Sequence, residues 1–576
     1  MAKAIFGAYG IQSDRFPLVF DDPLKTYSTA ELGDVKPLLN ELEDAAKSGY
    51  WVALMLSYEA APAFDSSLKT HRLTNFPLVW AAVFSAPTNT DQNNGHYRVG
   101  QWTPLVTRCE YVKAIGRIHD LIARGHTYQV NYTFPQTSTF SGDALTWYVD
   151  LCHAQGAELC AYLDLGRYQV LSLSPELFFE RKGKLAVTKP MKGTIKRGRW
   201  AKEDHEMSIR LKTSAKDRAE NVMIVDLLRN DLGKVSVPGS VRVSQLFQVE
   251  RFETLWQMTS TVESTLCDEV SLTDLFAALF PCGSITGAPK IRTMEIIREL
   301  ESNPRGIYTG AIGLIRPGGD CRFNVAIRTV VIDAETGTTN FGVGGGITID
   351  STAEREYDEC LLKSSFLNSP AIRLRLLETI LLEGGELFLL ERHLERLHAS
   401  ADYFGFQLSR EKVLAALNDT AAVHSTGTWK VRLLVANSGE VEIETTEIKD
   451  DDDRPVRVCL ASAPIDSSNR LLFHKTTNRK VYEDACAARS DCDDVVLWNE
   501  RGEITESSIA NIVVPMQGKL YTPPQSSGLL AGTFRAQLLA EGKIHERIIT
   551  IEELLQSADL FLINSVRKWM PAKLVD

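Results

Sequence analysis

The first half of the chain is defined by the stretch Thr188-Lys189-Pro190-Met191-Lys192-Gly193-Thr194. This stretch lies after Ser174-Pro175-Glu176 and before Asp226-Leu227-Leu228-Arg229-Asn230-Asp231. Composition alone favours a solvated lysine at Lys192, because other basic residues crowd the same region of the chain. A reactive lysine is the alternative, and the motifs around Lys192 decide between the two.

The composition is that of an ordinary globular protein with more than one domain. The chain has 576 residues, and a prior of ~150 residues per domain predicts three or four globular units. Hydrophobic residues make up 44% of the chain, charged residues make up 24%, and the mean hydropathy is −0.12. The net charge of −11 disfavours nucleic-acid binding, which needs a clustered basic face. Anionic substrates must therefore be held by local cations.

The cysteines and the N-terminus predict a cytoplasmic protein. The ten cysteines show neither a Cys-x-x-Cys motif nor zinc-ligand spacing, so we expect reduced core residues. The N-terminus reaches the polar residues Gln12 to Arg15 too soon for a signal peptide. No apolar run is long enough to span a bilayer, so no membrane association is expected.

Hydrophobic periodicity divides the chain into two parts. Short apolar runs up to about residue 100 predict strands with a few helices. Helical spacing predicts helices at Glu110–Arg124, Asp217–Leu228 and Ala353–Phe366, and Val330–Asp333 and Thr339–Val343 are expected to be paired strands that lead into Gly344–Gly346. The pattern restarts after Asn368-Ser369-Pro370, which predicts domains at 1–367 and 368–576. The acidic run Asp450–Asp453 predicts a solvated hinge near 448–456.

The strings around Lys192 resemble those of the chorismate-utilising enzymes. The resemblance implies their α+β fold, in which two facing β-sheets carry outer helices. Anthranilate- and isochorismate-forming members usually carry alanine in the Pro-x-x-Gly-Thr slot, whereas aminodeoxychorismate synthases carry lysine. Lys192 therefore predicts amination of chorismate at carbon 4. Gln129 agrees, because isochorismate formers have a lysine at the matching position to activate water.

The resemblance also implies a magnesium site on two helices. Asp217 and Glu220 lie three residues apart on one helix face, and Glu356 and Glu359 repeat this spacing. Magnesium prefers carboxylate oxygens and keeps several waters, so it can bridge protein acids to a substrate carboxylate. Glu220 and Glu359 match the direct ligands, and Asp217 and Glu356 match the water-mediated shell.

The family motifs place further residues on the substrate. Tyr308 and Arg328 match residues that bind the enolpyruvyl carboxylate, and the planar fork of arginine suits that task. The resemblance also implies that the ring carboxylate binds to the backbone amides of Gly344 and Gly346 and to the ammonium of Lys363. Ser284 or Thr286 is expected to line the substrate pocket. Many relatives have histidine where Gln257 stands, so no role carries over to that position.

Two residues are expected to perform the chemistry of the first half. Glu176 is the predicted general acid, because loss of the carbon 4 hydroxyl requires a carboxyl of raised pKa. Lys192 is predicted to attack carbon 2 as that hydroxyl leaves, after which ammonia attacks carbon 4. The lysine must be deprotonated, so burial must lower its pKa.

The second half resembles the fold-type IV pyridoxal phosphate enzymes. That group contains branched-chain and D-amino acid aminotransferases and aminodeoxychorismate lyase, and it implies a domain of two α/β lobes. The matching strings are Glu378-Thr379-Ile380, His393 to Leu397, His474 to Arg479, Glu503 to Asn511 and Gly528 to Thr533. Lys475-Thr476-Thr477-Asn478-Arg479 resembles the lyase more than the aminotransferases.

The cofactor requires an amine, an acid and phosphate donors. The matching residues are Lys475 for the covalent link, Glu506 beside the pyridine nitrogen, and Arg396 with the backbone amides of Gly532 and Thr533 at the phosphate.

Together the halves predict a bifunctional enzyme that makes 4-aminobenzoate, a folate precursor, with magnesium and pyridoxal phosphate as cofactors. No cysteine has the glycine-flanked setting of a glutaminase nucleophile, so ammonia is expected from solution or from a separate glutamine amidotransferase subunit. A homodimer through the lyase domain is a further expectation. Two alternatives remain: an anthranilate-type synthase fused to a class IV aminotransferase, and a regulator that binds chorismate without turnover.

Overall fold

The computed structural model describes residues 2–7, 17–88, 95–368, 374–449, 454–489, 491–557 and 559–575. The predicted boundary at Asn368-Ser369-Pro370 and the acidic run Asp450–Asp453 lie largely outside these ranges. The chain forms two compact units, of which the first is Met1–Lys196 with Ser208–Ala371 and the second is Arg197–Met207 with Ile372–Asp576. The length predicted three or four globular units, whereas the chain forms two. The prediction also divided the chain only once, whereas Arg197–Met207 leaves the first unit and belongs to the second.

Two ten-stranded sheets form the framework of the first unit. In one sheet the order is Gly287–Ala288, Gln129–Gly142, Thr338–Ile347, Thr329–Asp333, Tyr168–Ser174, Leu159–Asp164, Lys3–Phe6 and Leu18–Phe20, with Tyr97–Val99 and Thr103–Pro104 paired to Gln129–Gly142. In the other the order is Met191–Lys196, Leu255–Thr265, Leu185–Lys189, Leu177–Lys182, Cys321–Val325, Ala311–Ile315, Trp51–Leu56, Val79–Phe84 and Lys25–Thr29, with Arg242–Arg251 paired to Leu255–Thr265.

The two sheets face each other, as predicted. Buried side chains from both sheets, among them Ala161 and Val170 of the first and Met55 and Ile312 of the second, form one hydrophobic cluster. Because alternate side chains of a strand point to opposite faces, each sheet also has an outer apolar face, and helices cover it.

The three helices predicted in the first half are present, with small shifts in their ends. The helices of this unit are Leu32–Lys47, Ala61–Phe64, Arg108–Ala123, Ala144–Gln155, Ala215–Gly233, Leu272–Leu279, Lys290–Leu300 and Ala353–Ser364, and Ala201–Thr213 begins in the second unit and ends in the first. The N-cap of the helix Arg108–Ala123 is Thr107, which forms a reciprocal capping box with Glu110. Gly125, which follows the C-cap Arg124, has a φ of 76°, the left-handed conformation that often ends a helix.

The glycine run lies inside a strand instead of following one. Gly344–Gly346 is part of the strand Thr338–Ile347, which pairs with Thr329–Asp333 and with Gln129–Gly142. Glycine breaks the alternation of polar and apolar residues on which strand prediction depends. For this reason the sequence predicted that the strand would end at Val343, before Gly344–Gly346.

The second unit contains two sheets, each with its own core. The smaller sheet has the order Glu386–Leu387, Leu376–Glu383, Thr428–Val435 and Val441–Glu447, and the larger has the order Ile504–Ser507, Asp494–Trp498, Val456–Leu460, Lys568–Leu574, Leu560–Asn564, Asn511–Met516, Lys519–Thr522 and His545–Glu546. The helices are Leu390–Phe404, Arg410–Val423, Lys480–Ala487, Thr533–Ala540 and Ile551–Leu555. Separate hydrophobic clusters under the two sheets agree with the predicted pair of α/β lobes.

The prediction that all ten cysteines are reduced is wrong for two of them. Cys459 and Cys492 form a disulfide, with their Cα atoms 6.1 Å apart. The strands Val456–Leu460 and Asp494–Trp498 are parallel neighbours, with Val458 opposite Asp494. This pairing brings the two cysteines together from 33 residues apart, a proximity that spacing along the chain does not reveal.

Within the described ranges, no helix combines the length and the apolar character needed to cross a membrane.

Candidate active sites

A cavity of 290 Å³ in the first unit collects most of the residues predicted for chorismate. The predicted residues that line it are Gln129, Glu176, Lys192, Asp217, Glu220, Ser284, Tyr308, Arg328, Gly344, Gly346, Glu356, Glu359 and Lys363. They come from both sheets and from the helices Ala215–Gly233 and Ala353–Ser364. The cavity is large enough for a small carboxylic acid.

Lys192 enters this cavity at an irregularity in its strand. Met191 pairs with Thr259 and Thr194 with Gln257, and the register shifts between these pairs. A bulge of this kind re-aims a side chain. Gly193 has a φ of 89°, and a Cβ there would lie 2.8 Å from the Cβ of Asp217, so only glycine fits the bend.

The environment of Lys192 makes its amine easier to deprotonate than that of an exposed lysine. Burial lowers the pKa of Lys192, although the carboxylates of Glu176 and Glu220 oppose the shift. Its Nζ donates a hydrogen bond of 2.9 Å to the backbone carbonyl of Ser284. Lys192 is therefore neither a solvated surface lysine nor part of a tight ion pair. A lysine with a lowered pKa can act as a nucleophile.

Glu176 has the properties of a general acid. The side chain is buried, and burial raises its pKa to about 6 against the opposing effects of Ser284 and Lys192. Its Oε1 is buried, and no described residue forms a hydrogen bond with it. A buried polar atom without a partner costs stability, so it marks a place where a ligand would provide the partner.

Gln129 lies beside Lys192. A Cβ on Gly346 would be 2.0 Å from Nε2 of Gln129 and 3.3 Å from Nζ of Lys192. Glycine at 346 therefore makes room for both side chains. The Oε1 of Gln129 is also buried, with no hydrogen-bond partner among the described residues. An acceptor of this kind can orient an incoming N–H group.

Both members of the predicted carboxylate-binding pair line the same cavity. Burial lowers the pKa of Arg328 to about 10, and its guanidinium donates to Oε1 of Gln155 over 2.9 Å. Burial raises the pKa of the Tyr308 hydroxyl, so this group is neutral and can donate. A Cβ on Gly342 would lie 2.2 Å from Cγ of Tyr308. Gly342 therefore leaves room for the tyrosine ring.

The four predicted magnesium acids face the cavity from two helices. Burial raises the pKa of Glu220 and of Glu356, and the latter accepts a hydrogen bond of 2.8 Å from Ser351. Glu359 forms an ion pair of 2.8 Å with Lys363, which lowers its pKa. Lys363 also donates to the carbonyl of Gly344 over 3.0 Å. Magnesium would relieve the crowding of these negative charges.

The spacing of these acids fits magnesium more than a closed metal cage. Among the described residues, only Cys459, Asp491 and Cys492 place three side-chain ligand atoms within 4.8 Å of one another. Two of those three are joined in a disulfide. The wider spacing of the four carboxylates suits an ion that keeps waters and takes further oxygens from a substrate.

One predicted substrate residue is placed elsewhere. Thr286 is buried and does not line the cavity, and its hydroxyl donates to the carbonyls of Cys282 and Gly283. Its own carbonyl accepts from the amide of Asn131. Thr286 therefore fixes the turn that presents Ser284, and Ser284 alone of the two faces the cavity.

In the second unit, Lys475 is half-buried, Glu506 is buried, and the two have opposite pKa shifts. Burial lowers the pKa of Lys475 to about 8, and burial raises the pKa of Glu506 to about 7. No described residue accepts a hydrogen bond from the Lys475 amine. Glu506 accepts from Tyr482 over 2.8 Å and from the Leu530 amide over 3.0 Å. An unpartnered lysine near a buried acid fits the amine and pyridine ends of pyridoxal phosphate.

The phosphate end of the predicted site is built around Glu378. Burial raises the pKa of Glu378, but Arg396 and His393 outweigh this effect and bring it to about 2. Arg396 donates to both carboxylate oxygens of Glu378, at 2.9 and 2.6 Å, and to the carbonyl of Ala531 at 3.3 Å. A guanidinium has about five N–H donors, so Arg396 retains donors for an anion.

The predicted glycine amide is already engaged. The N–H of Gly532 donates to Oδ1 of Asn511 over 3.1 Å, and a Cβ at Gly532 would lie 2.2 Å from that oxygen. Gly532 therefore fixes the loop, and it does not offer its amide to the phosphate in this arrangement. Thr533 starts the helix Thr533–Ala540, whose first amides can receive an anion. A cavity of 240 Å³ reaches Arg396 and Thr533.

Comparison with known proteins identifies both halves. Residues 85–369 match the family described as chorismate binding enzyme, and residues 375–575 match amino-transferase class IV. An aminodeoxychorismate synthase component 1 from Klebsiella aerogenes is 38% identical over 319 residues, which is 55% of this chain and 69% of that protein. The chain belongs to the chorismate-binding enzyme family. Its second half is a class IV aminotransferase domain fused to the first.

A second relative and a solved structure are similar to the first half of the chain. An aminodeoxychorismate synthase component 1 from Salmonella typhimurium is 40% identical over 292 residues, and the match covers 50% of this chain and 63% of that protein. The crystal structure of anthranilate synthase component I from Streptococcus pneumoniae has a TM-score of 0.52 at 23% identity, covering 63% of this chain and 90% of that one. The predicted fold class is thereby confirmed.

Sequence reasoning assigned no role to several residues of the two sites. Lys216 and Gln257 line the first cavity, and Gln257 donates to the Gly193 carbonyl over 2.8 Å and accepts from Thr194, which holds the strand of Lys192. Lys216 stands next to Asp217, so its position was visible in the motif. In the second unit, Tyr482 and Asn511 lie in or near the strings that revealed Lys475 and Glu506.

Proposed function

We propose that the chain converts chorismate and ammonia to 4-aminobenzoate in two steps. The first unit replaces the carbon 4 hydroxyl with an amino group, and the second removes pyruvate. The observation that carries the proposal is the position of Lys192, partly buried with a lowered pKa in the same cavity as the buried acid Glu176. The names of the relatives support it, although the match spans only 63% of the Salmonella protein.

In the first step Glu176 assists the leaving group, and Lys192 is the nucleophile. Glu176 gives its proton to the carbon 4 hydroxyl, which leaves as water. Nζ of Lys192 forms a bond to carbon 2 as the ring double bond shifts and the carbon–oxygen bond breaks. Ammonia then attacks carbon 4, the double bond returns, and the bond from carbon 2 to Lys192 breaks.

The remaining residues of the cavity hold the substrate. Arg328 and Tyr308 bind the enolpyruvyl carboxylate, and Lys363 with the glycine run binds the ring carboxylate. Glu220 and Glu359 would hold magnesium directly, and Asp217 and Glu356 would hold it through water. Magnesium, when bound, would supply positive charge for a substrate carboxylate.

Ammonia comes from solution or from a separate glutamine amidotransferase subunit. Cys282, which lies between Pro281 and Gly283, comes nearest to the glycine-flanked cysteine of a glutaminase. It is buried, and burial raises the pKa of its thiol to about 12. A thiol with such a pKa is a poor nucleophile, because the thiolate is the reactive form.

In the second step Lys475 moves the proton. Pyridoxal phosphate, when bound, supplies an electron sink for the carbanion that forms at carbon 4. Nζ of Lys475, whose lowered pKa leaves part of it neutral, takes the proton from carbon 4. Glu506 would hold the cofactor ring nitrogen, and Arg396 with Thr533 would hold the phosphate. Loss of pyruvate then leaves an aromatic ring.

A single incubation tests the proposal. The full chain, loaded with pyridoxal phosphate, is incubated with chorismate, an ammonium salt and magnesium, and the products are separated by chromatography and identified by mass spectrometry. We expect 4-aminobenzoate and pyruvate. Formation of 2-aminobenzoate would instead support an anthranilate-type synthase, and unchanged chorismate would support a regulator that only binds it.

A further inference from the structure

The segment Arg197–Met207 is anchored firmly within the second unit. Arg197 and Asp204 are both buried and form a bidentate pair at 2.6 to 2.9 Å. Arg197 also donates to the Tyr403 carbonyl over 2.9 Å, and the Tyr403 hydroxyl donates to the Gly198 carbonyl over 2.8 Å. A charge pair taken out of water is stable only with such additional hydrogen bonds. The segment therefore has a defined position on the helix Leu390–Phe404.

This segment reaches the residue that precedes Lys475. Nε2 of His474 lies 3.1 Å from the Arg199 carbonyl, which can only accept, so Nε2 carries the proton. Burial lowers the pKa of His474 to about 3, so the ring is neutral. Its Nδ1 then accepts from the Ser400 hydroxyl over 3.0 Å. The segment thus fixes one tautomer and one orientation of the imidazole next to Lys475.

Trp200 lines the 240 Å³ cavity of the second unit. Its ring packs on Phe473 with centroids 5.1 Å apart, and the Arg199 guanidinium lies 4.8 Å from the Trp200 ring centroid. Trp200 and Ala201 line the same 240 Å³ cavity as Arg396 and Thr533. The indole therefore forms a wall of the space next to the two residues that are assigned to the phosphate.

We propose that Arg197–Met207 is part of the pyridoxal phosphate site of the second unit, with Trp200 as the side chain that retains the cofactor. This inference rests on the proposed function, because it takes the cofactor from there. A large aromatic wall excludes water from the charged phosphate end, which strengthens every contact made there. The cofactor site is therefore assembled from two distant stretches of sequence, 197–207 and the class IV aminotransferase region.

Cofactor binding in the full chain tests this role. Apo protein is titrated with pyridoxal phosphate, and binding is followed by the visible absorbance band and by the cofactor left after dialysis. We expect the dissociation constant to rise about tenfold in Trp200→Ala. Trp200→Phe should stay close to native, because a ring remains on Phe473. Lys412→Ala is the control, since Lys412 is exposed on the helix Arg410–Val423 of the same unit and outside the proposed segment, and it should bind as the native chain does.

The outcomes separate this inference from the proposed function. A native chain that binds no pyridoxal phosphate overturns the function assigned to the second unit. A native chain that binds it, with Trp200→Ala equal in affinity and retention, overturns the role of the segment. Thermal unfolding of the full chain, followed by circular dichroism, reports whether each variant is folded. If Trp200→Ala fails that check, Trp200→Leu replaces it, and equal cofactor affinity in Trp200→Leu and Trp200→Phe would also overturn the inference.

Discussion

The guanidinium of Arg328 donates a hydrogen bond to Oε1 of Gln155 across 2.9 Å. Arg328 is held in a left-handed conformation with a φ of 50°, and burial lowers its pKa to about 10. No carboxylate among the described residues pairs with it. A partly desolvated cation that is held by a neutral amide keeps its charge for a ligand. Gln155 thus orients Arg328 without competing with the substrate.

Changing the charge at Gln155 tests this relationship. Gln155→Glu would give Arg328 a carboxylate partner inside the protein, so the KM for chorismate should rise about tenfold or more, with a smaller effect on kcat. Gln155→Leu removes the hydrogen bond without adding charge and is the control, with a smaller rise expected. Steady-state kinetics of chorismate consumption measure both. An unchanged KM in Gln155→Glu would show that Arg328 does not bind the substrate carboxylate.

Removal of the nucleophile should abolish amination at carbon 4. Lys192→Ala should reduce formation of aminodeoxychorismate by about 10³-fold or more, while the magnesium acids and Arg328 remain in place. Small amounts of carbon 2 products would then show that the substrate still binds. Lys196→Ala, exposed at the end of the same strand, should behave as native. Normal formation of the 4-amino product by Lys192→Ala would rule out the covalent route.

The magnesium assignment predicts a change in metal dependence. Glu220→Gln and Glu359→Gln should each raise the magnesium concentration needed for half-maximal turnover by about tenfold or more, because a neutral amide attracts a hard dication less than a carboxylate does. Asp226→Asn lies on the same helix but outside the cavity, so it should leave the dependence unchanged. A native magnesium titration in either glutamine variant would remove that residue from the ligand set.

The helices and motifs could be predicted because their signals are local. Asp217 and Glu220 lie one helical turn apart, and a period of 3.6 residues places them on one face whatever packs against it. The same holds for Glu356 and Glu359. Lys475 and Glu506 could be identified because they lie in short strings that resemble those of the fold-type IV enzymes, whose cofactor needs an amine and an acid.

The remaining features depend on contacts between distant residues. Ser284 and Thr286 are chemically alike in the sequence, and only the fold of the turn points one to the cavity and the other to the backbone. The amide of Gly532 is occupied by Asn511, which no spacing could indicate. The segment Arg197–Met207 lies next to the Lys192 motif in the chain but belongs to the other unit. Such placements follow from tertiary packing, which local patterns do not encode.

The lowered pKa of Lys475 predicts how cofactor attachment depends on pH. The neutral amine attacks the cofactor carbonyl, and burial lowers the pKa of Lys475 from 10.5 to about 8. The rate of attachment to apo protein should therefore rise as the pH increases through about 8 and level off above it. Growth of the visible absorbance band at several pH values measures this rate. A rate that keeps rising to pH 10.5, as for an exposed lysine, would contradict the burial of this amine.

Lys475→Ala tests the second unit and the fusion together. The native protein should be yellow, and borohydride should bleach the band, because the bond between Lys475 and the cofactor is both the chromophore and the reducible group. The variant should lack this band, yet its first unit should still convert chorismate and ammonia to aminodeoxychorismate. That product should accumulate, because the amine that takes the proton from carbon 4 is missing.

Adding a separate aminodeoxychorismate lyase to the Lys475→Ala reaction should restore 4-aminobenzoate. This rescue distinguishes a lost second step from a damaged first one, since a misfolded first unit would leave nothing for the added enzyme to use. Lys480→Ala is the matched control, because Lys480 is an exposed lysine five residues farther along, with its Nζ paired to Asp484. It should make 4-aminobenzoate at the native rate. Native release of pyruvate and 4-aminobenzoate by Lys475→Ala would show that another group moves the proton, and the lyase assignment would then be wrong.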